Sequence, residues 1–139
     1  MNSLSIGSTK AQAKTLISRH RRIFGLALAL QIVIGALFLL LPSFSLSVVG
    51  LPTTMGPQWP SIWGATLIFV TVMQVPGALD PINQRYANVV AVLGRLLMVI
   101  TFLSFGGPFV VFALFDLVFG ALIYVGFRRA VIAELQSRP

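Results

Sequence analysis

The sequence predicts an all-α fold, a polytopic membrane protein built as a bundle of four transmembrane helices. The first observation is composition: of 139 residues, 57% are hydrophobic and 9% charged, where a soluble domain carries roughly 25% charged residues. The mean hydropathy of +0.94 agrees. The second is pattern: residues 23–41, 61–79, 87–105 and 109–127 are apolar stretches, each close to the roughly 20 residues that cross a hydrocarbon core. The third is the distribution of Lys and Arg, which gather beside the spans and leave two connections without any.

Residues 1–22 form a basic tail without an acidic residue, in which Lys10, Lys14, Arg19, Arg21 and Arg22 crowd toward the first span. Ala13, Leu16 and Ile17 would allow residues 11–23 to form a short helix lying on the membrane surface. The first span, 23–41, carries no charge. A signal peptide cut near Ser43-Phe44-Ser45 is the competing interpretation, but its apolar core would exceed the usual range of roughly 7–15 residues. Gly25, Ala29 and Ala36 lie near one stripe of this helix, and Ala27, Gln31 and Gly35 on another. Small residues at such spacing let helix backbones approach, so contacts are expected on two sides.

Pro42 ends the first span, and residues 42–60 are an uncharged connection punctuated by Gly50, Pro52, Gly56 and Pro57. Trp59 and Trp63 stand where aromatic belts anchor helices at the head-group level. The second span, 61–79, contains Pro76, which lacks an N–H to bond Val72 and is expected to kink or end the helix. Asp80-Pro81 starts a short polar connection in which Arg85 and Tyr86 mark the interface. The third and fourth spans, 87–105 and 109–127, form a hairpin around Gly106-Gly107-Pro108. Its phenylalanines, 102, 105, 109, 112, 115 and 119, fit a packing or lipid-facing surface better than a pigment or quinone cradle. Arg128 and Arg129 stop the last span, and residues 128–139 form a second tail.

Orientation follows from the basic residues. Five lie in the first tail, Arg85 in the second connection, and Arg128, Arg129 and Arg138 in the last tail, whereas the opposite connections have none. Positive residues stay inside, so both termini are expected in the cytoplasm of a bacterial cell, with the bundle in its inner membrane. Lys14, Arg19, Arg21, Arg22, Arg128 and Arg129 are the expected contacts to lipid head groups. This placement assigns the net charge of +7 to topology and anionic lipid, with no nucleic-acid partner.

No Cys is present, which excludes disulfides, thiolate chemistry and Cys-ligated metal clusters. The single histidine, His20, cannot supply a multi-histidine metal or haem site, and its place in the basic tail reads as peripheral. No metal is expected. Polar side chains instead fall one to each span: Gln31, Gln74, Arg95 and Asp116. Measured from the cytoplasmic ends, they lie roughly 12, 8, 10–15 and 16 Å deep at about 1.5 Å per residue. All four can meet in the inner half of the bundle. Counted from Gly107, Arg95 and Asp116 lie roughly 18 and 13 Å along the two arms of the hairpin, within reach of an arginine side chain. Each charge costs at least about 2.5–3.5 kcal/mol at the bilayer centre, which makes them partners. Ala91, Gly94, Ala113 and Gly120 beside them permit close backbones. Such a network either fixes helix order and register, or serves a ligand head group, a quinone or a proton.

The motifs Leu39-Leu40-Leu41-Pro42, Gly50-Leu51-Pro52, Trp63-Gly64, Asp80-Pro81, Leu93-Gly94-Arg95 and Asp116-Leu117 occur in this order. Over residues 20–129 the chain resembles the small four-helix bacterial membrane proteins labelled DoxX-like. Some proteins of that name are membrane subunits of quinone-linked sulfur-oxidising enzymes, and others associate with redox partners. The resemblance implies a helical bundle and a redox-partner role, with Arg95 and Asp116 as motif positions and no catalytic residue. The leading expectation is a non-catalytic accessory or scaffold subunit that joins a larger membrane complex or its own copies. The alternatives are a quinone- or lipid-binding redox component and a small oligomeric transporter.

Overall fold

A computed structural model describes residues 10–52 and 56–137. Five helices follow one another: α1 (Lys10–Leu40), α2 (Pro42–Val49), α3 (Gln58–Leu79), α4 (Arg85–Phe105) and α5 (Val110–Gln136), with a 3-10 turn at Gly107–Phe109 before the last. No strand occurs among the described residues. Four helices, α1, α3, α4 and the turn with α5, are long and apolar enough to cross a membrane. The chain is a multi-pass, all-α membrane protein, and an even number of crossings returns both ends of the bundle to one side.

Each break has a local cause. Pro42 is the first residue of α2, where a missing N–H is tolerated because helix starts leave that donor unbonded. Gly50 closes α2 in the left-handed region at φ +77°, and Leu51 N–H donates back to Leu46 carbonyl at 2.9 Å, a Schellman closure. Gly106 adopts φ +64°, ψ −161°, a conformation essentially confined to glycine. Together with Pro108 it forces the turn between α4 and α5. Between α3 and α4, Asp80 accepts from the backbone N–H of Asn83 at 3.2 Å and its side-chain amide at 2.8 Å. These bonds, the side-chain one foremost, hold the Asp80 carboxyl below its ordinary pKa.

Three sequence expectations meet a different outcome. The basic residues before the first span do not form a separate surface helix, because α1 runs unbroken from Lys10. Similarly, α5 continues past Arg128 and Arg129 to Gln136. Ala13, Ala130 and Ala133 are all buried, so the apolar stripes that pack α1 on α5 persist into the polar segments and carry the helices on. The third concerns one of the two outcomes expected at Pro76: α3 does not end there but passes through to Leu79. The missing bond to Val72 weakens the helix locally without ending it.

Packing sets a ring order. α1 lies against both α3 and α5, and α5 against α4, whereas α3 and α4 touch slightly. The order around the bundle is therefore α3–α1–α5–α4, with a seam between α4 and α3. The α1–α3 crossing is backbone on backbone. A Cβ placed on Gly64 would stand 2.5 Å from Gly35 O and 2.6 Å from Leu39 N. Of the two stripes on the first span, the one with Ala27, Gln31 and Gly35 is buried, while Ala29 is exposed and Gly25 has open space around it. The core toward the termini consists of Phe24, Ala27, Leu28, Ala78, Ala91 and Ile123.

Gly64→Ala forces α1 and α3 apart and is expected to destabilise the fold by about 1–3 kcal/mol, whereas Gly25→Ala leaves it unchanged. Thermal unfolding of both variants in the same detergent checks the difference, and equal melting temperatures would refute the crossing.

Candidate functional site

The buried faces of the helices repeat every three to four residues: His20, Phe24, Ala27, Gln31, Gly35 and Phe38 on α1, and Asn88, Ala91, Arg95, Val99 and Phe102 on α4. Polar residues on such a stripe are carried inward and must find partners there. Arg95, 3% exposed, donates from Nη1 to Asp116 Oδ1 at 2.8 Å and from Nη2 to Gln31 Oε1 at 2.9 Å. Three helices are thus joined through one guanidinium. Its carbon lies 5.9 Å from the centre of the Phe115 ring, within cation–π range. Gly120 of α5 lies beside the Arg95 stem, where a Cβ would stand in ordinary contact with Arg95 Cβ at 3.5 Å.

Gln74 does not join this network. It is buried at 9% exposure, and its Oε1 has no hydrogen-bond partner. Arg95 Nε is buried and unpartnered as well. Gln31, Gln74, Arg95 and Asp116 nevertheless line one cavity of about 370 Å³. Most of its wall is apolar and comes from α3 and α4, among them Leu67, Met98 and Phe102, with Phe112 added from α5. Thr66, Val70, Gly94 and Leu97, which also line it, are exposed on the bundle surface. The cavity therefore opens sideways through the α3–α4 seam, where a bilayer would present acyl chains.

A second chamber of about 300 Å³ adjoins it and shares Trp63, Met98, Phe102 and Phe112. Its wall is aromatic: Phe38 and Trp63 meet edge to face at 4.6 Å, and Trp63 and Phe112 at 5.4 Å. Trp63 thus sits half-buried in this cluster. Trp59 and Tyr86 stand exposed near helix starts, Tyr86 at 82%. Lys14, Arg19, Arg21, Arg22, Arg128 and Arg129 are all exposed on α1 and α5.

Sequence reasoning missed a second polar cluster. His20 is 1% exposed, with Nε2 2.9 Å from Asn88 Oδ1. The Asn88 amide donates to Gly77 O at 3.0 Å and Gln84 O at 3.2 Å, so Oδ1 is the acceptor and His20 Nε2 carries the proton. These bonds tie α1, α3 and α4 together at the end near the termini. His20 packs on Phe24 and Phe127, with ring centres 5.7 and 6.0 Å away. The signal was available: His20 falls on the stripe of Phe24, Ala27 and Gln31, and Asn88 on that of Ala91 and Arg95.

Fold and site together define a multi-pass helical membrane protein with a polar-based cavity facing the lipid. No protein family, curated protein or solved structure matches the chain.

Arg95→Leu strands Asp116 among apolar groups and is expected to cost about 3–5 kcal/mol, while Arg95→Leu combined with Asp116→Leu costs less than either single change. Unfolding of the three variants in mixed micelles checks this order, and additive losses would refute the coupling. Asn88→Leu leaves His20 Nε2 and Gly77 O without partners and is expected to lower stability by about 1–3 kcal/mol, read in the same assay.

Proposed function

We propose that this protein is a small, non-catalytic membrane subunit that holds a lipid-soluble ligand in the cavity between α3 and α4. The observation that carries this reading is the pair of unpartnered buried atoms, Arg95 Nε and Gln74 Oε1, at a cavity open to the bilayer. Buried polar groups normally find partners, and here a donor and an acceptor on two residues that line a mostly apolar cavity have none. A volume of about 370 Å³ falls in the range of small-molecule sites, which are apolar with a few placed polar groups. A quinone fits this description, with a flat apolar ring and carbonyl oxygens for a donor. The DoxX-like resemblance of the motifs supports the same class.

The reading includes the role of an accessory component. No arrangement of nucleophile, base and orienting group surrounds the cavity, so a bound quinone or lipid would exchange its electrons or chemistry with a partner protein. In a bacterial cell the inner membrane, with both termini cytoplasmic, is the setting that the basic residues favour. Lys14, Arg19, Arg21, Arg22, Arg128 and Arg129 would then contact anionic head groups or a partner at that surface.

Gentle extraction of the tagged protein in native nanodiscs, followed by mass spectrometry, tests the reading. A co-purifying quinone or neutral lipid is expected, and it is expected to be lost in Gly94→Leu. Gly94 lines the cavity and is exposed, and a Cβ there meets nothing within 4 Å, so a side chain can start at this edge of the seam. Identical small-molecule content in both preparations would refute the binding role.

A further inference from the structure

We propose that the cavity selects an uncharged head group, one that accepts a hydrogen bond at one oxygen and donates from an O–H, and that the Arg95–Asp116 ion pair enforces this selection. The inference rests on the binding role proposed above and specifies its ligand. An arginine in a lipid-facing site ordinarily suggests an anionic ligand, because its fork fits carboxylate and phosphate. Here both terminal nitrogens are taken, Nη1 by Asp116 and Nη2 by Gln31. The charge of Arg95 is already balanced by a carboxylate at 2.8 Å. An incoming anion would meet a site of zero net formal charge that includes Asp116 itself, and would give up its hydration without gaining a counter-charge.

What remains unsatisfied on the lining residues is one donor, Arg95 Nε, and one acceptor, Gln74 Oε1, both buried and without partners. They stand on α4 and α3, the two walls of the seam, so a ligand that satisfies both would bridge it. The matching chemistry is a neutral oxygen head on an apolar body: a ring quinol, or the glycerol of a monoacylglycerol. The adjoining aromatic chamber, walled by Phe38, Trp63, Phe102 and Phe112, would receive part of that body.

Asp116→Asn provides the decisive change. It retains an oxygen that can accept from Arg95 Nη1 but removes the negative charge, leaving the guanidinium as the cavity's one formal charge. An anionic head group then supplies what Asp116 no longer does. The full chain in nanodiscs of zwitterionic lipid is titrated at pH 7 with three probes: a short-tailed ring quinol, a monoacylglycerol and a long-chain alkyl phosphate. The unaltered protein is expected to bind at least one neutral probe about tenfold or more tighter than the phosphate, a gap of the size one buried hydrogen bond gives. The variant is expected to reverse that order. Whichever neutral probe binds identifies the source of the shared head-group chemistry. Gln74→Leu removes the acceptor while leaving the Arg95–Asp116 pair in place and is expected to weaken the ring quinol about tenfold while sparing its dimethyl ether, a test that holds even where Asp116→Asn fails to fold. Preference of the unaltered protein for the phosphate, an unchanged order in Asp116→Asn, or equal loss of quinol and ether in Gln74→Leu overturns the inference. Failure of all three probes to bind overturns the binding role with it, whereas binding in the wrong order removes only the head-group assignment.

Discussion

One guanidinium in a place where lipid would otherwise surround it constrains the arrangement of the whole bundle. Arg95 cannot be left facing acyl chains, and α4 is too apolar elsewhere for the residue to escape by tilting. The fold answers with Asp116 from α5 and Gln31 from α1. Helix association inside a bilayer gains little from the hydrophobic effect and depends on close packing and polar contacts. The Arg95 network joins the inward faces of α1, α4 and α5.

The tightest and loosest contacts in the ring lie side by side. Where α1 crosses α3, Gly35 and Gly64 bring the main chains together, and side chains are pressed out of the joint. Where α3 faces α4, a cavity stays open between Trp63 and Leu67 on one side and Met98 and Phe102 on the other, with Phe112 of α5 also in its wall. A bundle shaped for stability alone would close that space and give Gln74 a partner. The unclosed seam is thus a feature with an energetic cost, and the cost falls on residues at its wall.

Much of this was legible beforehand. Hydropathy and the breaks at Pro42, Asp80-Pro81 and Gly106-Gly107-Pro108 mark the helices, because the bilayer imposes length and leaves few alternatives. Depth counting brings Arg95 and Asp116 together, since two opposite charges have one economical solution in lipid. The extensions of α1 and α5 were not legible, because basic residues at a span end signal topology regardless of whether the helix stops. Ala13, Ala130 and Ala133 carried the missing information, as small residues on the packing stripe. His20 was misread for the same reason: its four neighbours in sequence, Ser18, Arg19, Arg21 and Arg22, are exposed, and only the three-to-four spacing reveals that it faces inward. The isolation of Gln74 from the Arg95 network depends on rotation of α3 about its own axis, which no depth measurement supplies.

The ring order has a consequence for how the molecule can be approached. The helices that continue beyond the apolar spans, α1 and α5, are neighbours, and they stand directly across the bundle from the gap between α3 and α4. A protein that gripped the projecting pair would hold the rear of the bundle, with its front still turned to the membrane. Contacts made at these two opposite flanks would not obstruct one another.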